Sequence, residues 1–274
     1  MSDRKAFTLI ELLVVIAIIG VLMGILMPAL NRVKKSARTT ACLMNLHQWA
    51  YIWTMYCDDN NGYFPEATDL NWKRGTWITA LRSQWRTQTD ILRCPEAMKR
   101  RPETQNAAVG GPHTSYVMGG GGIGDLQEEC SYGMNNWLIK ARPGETAIQG
   151  RPTEWNYQSK DAKNVARVPV FADTMWRGGG PFYQNGNHTS PRIAPPEYDG
   201  QWASYNHEMK HFAINRHHGF VNHLFLDWSA RKVGLKELWT LKWHRQFDTG
   251  GAWTRVGGVT STDWPEWLRP FKDY

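Results

Sequence analysis

The chain has 274 residues, of which 42% are apolar and 21% are charged, and this balance excludes a wholly disordered protein. One hydrophobic core serves up to roughly 250 residues, so we expect one main globular domain. The net charge of +7 comes from Lys and Arg residues dispersed along the chain, and no basic helix stands out. We therefore expect no nucleic-acid partner.

The first predicted element is an apolar helix. The chain is polar and basic over residues 1–6 and then apolar from Phe7 to Leu30, with no polar side chain between Leu12 and Met27. This segment is long enough to span a bilayer and too long for the core of a signal peptide. We predict a membrane-spanning helix over residues 7–30.

Glu11 is the unusual residue of this segment. An ionised carboxylate inside a spanning helix costs roughly 2.5–3.5 kcal/mol unless it finds a partner. A generic anchor gains nothing from such a residue. The sequence therefore indicates that something pairs with Glu11 in the membrane or in an assembly.

The residues around Glu11 form a motif, Ala6-Phe7-Thr8-Leu9-Ile10-Glu11. It resembles the processing site of type IV prepilins and type II secretion pseudopilins, although Ala6 stands where that family usually has Gly. The resemblance implies that a prepilin peptidase and methyltransferase cuts before Phe7 and methylates the new amino group. It also implies that Glu11 guides assembly with other pilin or pseudopilin subunits, since the ammonium of Phe7 offers the opposite charge.

Two signals disagree about topology. Arg4 and Lys5 precede the span, whereas four basic residues follow it, and the positive-inside rule alone would leave the carboxyl end in the cytoplasm. The family resemblance implies the reverse. Because the leader motif is the more specific signal, we expect a single-pass protein of the bacterial inner membrane whose carboxyl-terminal domain is periplasmic, or extracellular after assembly.

The helix should continue beyond the span. Pro28 is expected to bend it, and an apolar stripe at steps of three and four then runs to Tyr56 before a cluster of turn residues. We divide the chain into a leader at 1–6, an assembly helix at 7–30, an amphipathic continuation at 31–58 and a globular domain at 59–274. The stripe comprises Cys42, Leu46, Trp49, Trp53 and Tyr56.

The globular domain is predicted to be rich in loops, with glycine clusters at 110–111 and 119–122. Strand patterns occur at 168–172, where Pro169 favours an edge position, and at 220–226, with a return strand at 231–233. We expect an α+β fold in which the long helix packs on a small antiparallel sheet.

The four cysteines and 15 tryptophans leave alternatives open. No C-x-x-C pair occurs, so we expect no cysteine-based metal site and no cofactor. Cys94 and Cys130 are the best candidates for a disulfide in an oxidising compartment, and two buried free thiols are the alternative. The tryptophans fit either a core or a flat surface for glycans or proteins.

Two patterns contain histidine. His217 and Asp227, which are separated by nine residues, resemble a carboxyl-terminal signature of pilin-like proteins from planctomycetes and related bacteria. Trp228 replaces the usual Gly of that signature and should alter the turn. His207, Glu208 and His211 form a literal H-E-x-x-H, the zinc-binding pattern of metalloproteases. Ile214 stands where the extended form of that pattern needs Gly.

The leading hypothesis is a structural subunit, not an enzyme, of a type IV-like filament or a type II secretion pseudopilus. It would assemble through its amino-terminal helix. The alternatives are a membrane-tethered module that binds glycans or proteins, and a zinc-dependent hydrolase that uses His207, Glu208 and His211.

Overall fold

A single long helix dominates the amino-terminal part of the structure, which is a computed structural model describing residues 9–66, 75–100, 108–119, 126–182, 193–202 and 207–274. Helix α1 spans Leu9–Asp59, 51 residues, and continues through Pro28. Its end lies one residue from the predicted position. There the chain turns through Asn61 and Gly62, both in the left-handed region, and the Gly62 amide donates to the Cys57 carbonyl at 2.7 Å.

The remaining elements are short. Two further helices follow α1, with bounds α2 Thr76–Ala80 and α3 Arg82–Trp85. The strands are β1 Lys99–Arg100, β2 Thr114–Val117, β3 Glu129–Cys130, β4 Tyr132–Asn135, β5 Ala147–Ile148, β6 Arg151–Pro152, β7 Pro169–Asp173, β8 Gly178–Gly179, β9 Phe220–Phe225 and β10 Ala230–Gly234. Single turns of 3-10 helix lie at Thr89–Leu92, Thr153–Trp155, Val165–Arg167, Glu208–His211, Lys236–Thr240 and Glu266–Leu268.

The main sheet has five strands in the order β10-β9-β7-β4-β8. Its pairs are antiparallel except for β4 with β8. The predicted hairpin is confirmed as β9 and β10, with Val233 opposite Val221. The edge position expected for the Pro169 strand is wrong, because β7 lies between β9 and β4. Pro169 is tolerated there because it is the first residue of β7 and the register with β9 shifts between it and Phe171.

The sheet separates two hydrophobic clusters. On one face Phe171 packs against Trp49 of α1, with ring centroids 4.7 Å apart, and against Trp77 at 4.8 Å. On the other face Ala172 and Val221 belong to a second cluster built with the carboxyl-terminal segments. The α+β class expected from the sequence is confirmed: a long helix packs on a small sheet, and loops and single helical turns make up much of the rest.

Most of the tryptophans in the described part of the chain are buried in this core. Among those in the described part of the chain, only Trp202 is exposed, with 38% of its surface accessible. This distribution favours the packing interpretation over an exposed aromatic surface. The fully buried ones are Trp49, Trp53, Trp77, Trp85, Trp137, Trp239, Trp243 and Trp264.

Candidate functional site

The amino-terminal half of α1 is the first functional element. Every position from 9 to 38 is exposed, and Thr39 is the first buried residue of the helix. By length and composition α1 can cross a membrane, and no part of its most apolar window is buried. Glu11 lies in the first turn, where a carboxylate also faces the positive end of the helix dipole. Ala6 and Phe7 lie outside the described residues.

A second cluster of polar side chains lies where α1 enters the domain. Cys42 of α1, Cys94, Asp173 at the end of β7 and His217 are all buried, and one potential ligand atom from each lies within 4.8 Å of the others. The Cys42 Sγ is 3.5 Å from both carboxylate oxygens of Asp173. His217 Nε2 is 3.1 Å from Asp173 Oδ2 and 3.4 Å from Cys94 Sγ.

Arg216 completes the cluster. Its guanidinium is fully buried and contacts Asp173 Oδ1 at 3.1 Å. It donates five hydrogen bonds, as many as a guanidinium has N–H groups. The acceptors are Asp173 and the carbonyls of Pro112, Ser131, Gly111 and Thr174.

The electrostatics of the cluster follow from burial and from these charges. Burial acts to raise the pKa of Asp173, but His217 and Arg216 outweigh it and hold that pKa below its usual range. Burial acts to lower the pKa of His217, but the carboxylate of Asp173 outweighs it and raises the pKa to about 9. Burial raises the pKa of the Cys42 thiol. Burial also acts to raise the pKa of the Cys94 thiol, but hydrogen bonds with Cys42 and His217 and the charge of Arg216 outweigh it and lower that pKa to about 7.

Comparison with known proteins bears on the helix. Residues 1–27 match the model of the prokaryotic N-terminal methylation motif. The chain is also similar to the type IV wide pilus major component PilA4 of Thermus thermophilus, with 44% identity over 70 residues. By these two matches the chain is similar to type IV pilins. The PilA4 match covers 26% of this chain and 53% of PilA4, so the chain spans about half the length of this curated relative. No solved structure matches it.

The predicted disulfide of this pilin-like chain is not formed. All four cysteines are free and buried in the structure. Cys130 Sγ lies 3.4 Å from the carbonyl oxygen of Tyr132, whereas Cys94 faces His217. The spacing of cysteines along the chain gave no signal for the grouping of Cys94 with Cys42.

The signature residues lie apart. His217 belongs to the buried cluster, whereas Asp227 is exposed in the β9–β10 turn and accepts from the Ser229 amide at 3.0 Å. Trp228 has a φ of 64°, so it adopts the left-handed backbone that Gly takes at lower cost. The pilin-like chain therefore keeps a positive φ at this position without the glycine.

The H-E-x-x-H residues have other partners. Glu208–His211 form one turn of 3-10 helix, and His207 precedes it. The buried Glu208 carboxylate pairs with Arg151 at 2.5 Å and accepts from Asn136 at 2.9 Å. His211 Nδ1 contacts the Gly178 carbonyl at 3.0 Å. Glu208 is thus the acid of a buried ion pair, which is a structural role.

Proposed function

We propose that this pilin-like chain is a structural, non-enzymatic subunit that assembles into a filament through the exposed half of α1. The observation that supports the proposal is the division of one continuous helix. Residues 9–38 are exposed and mostly apolar, whereas the following turns are held in the core by Cys42, Leu46, Trp49 and Trp53. A helix built in this way can pack with copies of itself at one end while it carries a folded domain at the other.

Processing would create the partner for Glu11. A prepilin peptidase and methyltransferase would cut between Ala6 and Phe7, and the new ammonium of Phe7 would meet Glu11 of a neighbouring subunit. The methylation-motif match over residues 1–27 supports this step. Mass spectrometry of the mature protein is expected to find a methylated Phe7 at its amino terminus. An intact Met1 in assembled protein would contradict the proposal.

The same proposal sets the topology. The precursor would be anchored in the inner membrane by residues 7–30, with residues 59–274 in the periplasm before assembly and outside the cell afterwards. A periplasmic reporter fused after Tyr274 is expected to be active. An inactive periplasmic reporter together with an active cytoplasmic one would contradict this topology.

Between the two assemblies of this class, a type IV-like filament is favoured over a type II secretion pseudopilus. The similarity to a wide pilus component supports this choice. Shearing of cells should release the subunit in filaments that sediment at high speed. Release only when secretion genes are overexpressed would instead favour the pseudopilus.

Glu11→Ala separates assembly from simple tethering. If α1 only anchors a binding module, losing Glu11 should leave the protein and its interactions unchanged. Under the assembly proposal the variant should stay in the membrane fraction, and the sheared filament fraction should lose it at least about tenfold, equivalent to about 1.4 kcal/mol. Asp59→Ala is the matched control, because Asp59 is an exposed acid at the other end of the same helix.

A further inference from the structure

We propose that Cys42, Cys94, Asp173 and His217 form a structural zinc site that fastens α1 to the globular domain. The four side chains come from four separate parts of the chain: the helix, the segment after the 3-10 turn Thr89–Leu92, the end of β7 and the segment before β9. Two thiolates, an imidazole and a carboxylate are a ligand set that suits zinc, and four protein ligands are typical of a structural site.

The spacing of the ligand atoms supports a tetrahedral centre. Zinc bonds of about 2.0–2.3 Å in tetrahedral geometry place neighbouring ligand atoms about 3.3–3.8 Å apart. Cys42 Sγ lies 3.5 Å from the Asp173 oxygens, and Cys94 Sγ lies 3.4 Å from His217 Nε2. The shortest of these separations, 3.1 Å between His217 Nε2 and Asp173 Oδ2, needs a few tenths of an ångström of opening. All four ligand atoms lie within 4.8 Å of one another, so the widest pairs would close by at most about 1–1.5 Å around a bound metal.

The hydrogen bonds of Thr39 prepare His217 to bind a metal. The Thr39 hydroxyl donates to the Lys35 carbonyl at 3.0 Å, so its oxygen is available to accept from His217 Nδ1 at 3.2 Å. With the proton on Nδ1, neutral His217 presents the lone pair of Nε2 to the cluster. This is the arrangement found around metal-bound histidines, in which the second nitrogen donates to a fixed acceptor.

The other ligands are supported in the same way. The Asp173 carboxylate accepts hydrogen bonds from the backbone amide of Asn222 at 2.9 Å and from the Arg216 guanidinium at 3.1 Å. Tyr132 donates its hydroxyl to Cys42 Sγ at 3.2 Å. The charges also balance, because Zn²⁺ and the buried Arg216 together match two thiolates and one carboxylate. A proton on His217 Nε2 would satisfy only the contact with Asp173, whereas a metal at the centre would bind all four ligands.

The test uses the full chain in detergent, reduced and with any affinity tag removed. After dialysis against zinc and desalting, elemental analysis should find about one zinc per chain. After dialysis against cobalt, the protein should show the visible absorption of a tetrahedral centre and thiolate-to-cobalt charge transfer. No retained zinc, or a Cys42–Cys94 disulfide in protein isolated without reductant, would overturn the proposal.

Variants test the ligands individually. Cys42→Ser and Cys94→Ser should lose zinc affinity by more than about 100-fold, together with the charge-transfer band. Thr39→Val removes the support of His217 together with the hydrogen bond to the Lys35 carbonyl, and it should weaken zinc binding about 10- to 100-fold with unchanged tryptophan fluorescence. Cys57→Ser is the matched control, because Cys57 is a buried thiol of the same helix outside the cluster. Equal zinc affinity in Cys42→Ser and Cys57→Ser would refute the site.

Discussion

Replacing Arg216 by Lys tests how the junction of α1 with the domain is held. The guanidinium donates five hydrogen bonds in a fully buried position, and a lysine ammonium has only three donors. At least two buried acceptors would therefore lose their partners. Each such loss costs about 1–3 kcal/mol, so we expect Arg216→Lys to lower the free energy of unfolding by about 2–6 kcal/mol.

Urea unfolding of the full chain in detergent, followed by tryptophan fluorescence, measures this change, because the core contains buried Trp residues such as Trp49. Arg255→Lys is the control, since Arg255 is exposed and its replacement should change the unfolding free energy by less than about 0.5 kcal/mol. If the two variants unfold with equal free energies, the five hydrogen bonds of Arg216 do not stabilise the domain as we infer.

Two further predictions concern the core. Trp49→Ala should lower the free energy of unfolding by about 3–5 kcal/mol, because Trp49 is fully buried against the sheet. Tyr51 is exposed on the same helix, so Tyr51→Ala should have little effect. Equal losses of stability in the two variants would contradict the packing of the helix on the sheet. Burial lowers the pKa of His223 to about 3; the charge of Asp173 opposes this shift and that of Arg231 adds to it. Above pH 6.5 the imidazole is neutral in both the folded and the unfolded chain, so the fold bears no cost for keeping it uncharged. As the pH falls from 6.5 towards 3, wild type should lose up to about 1.4 kcal/mol more per pH unit than His223→Phe in urea titrations, and parallel curves would refute this.

The sequence allowed prediction of features that depend on local patterns. The apolar run and the stripe from Cys42 to Trp53 predicted α1 and its buried face, because helical periodicity is visible in a short window. The β9–β10 hairpin was predicted from alternation in the same way. The edge position predicted from Pro169 is wrong, because a proline is tolerated inside a sheet where the register with the neighbouring strand shifts. The register of β7 with β9 shifts next to Pro169, and the sequence of one strand does not reveal such a shift.

The buried cluster could not be predicted for a related reason. Cys42 contacts Asp173 across 131 positions, and Cys94 contacts His217 across 123. No short motif connects them, and metal-site recognition from sequence depends on close pairs such as C-x-x-C. The H-E-x-x-H pattern is the converse case, because its short spacing is easy to recognise in the sequence. In the structure, however, its Glu208 forms a buried ion pair with Arg151.

The contact of Arg38 with the domain explains part of the disagreement between the two topology signals. The basic residues that follow the span lie on the exposed part of α1 immediately before Thr39, and Arg38 already reaches Glu96 of the domain at 3.6 Å. Because the Arg38 side chain is exposed, the pair contributes at most about 1 kcal/mol, but a positive charge at this point of the helix can serve the docking of the domain. Because the domain begins so soon after the span, Arg38, which pairs with Glu96 of the domain, falls within the window that the positive-inside rule counts. The count of basic residues after the span therefore includes at least one that serves packing and not topology, and we take the leader motif as the better guide to orientation.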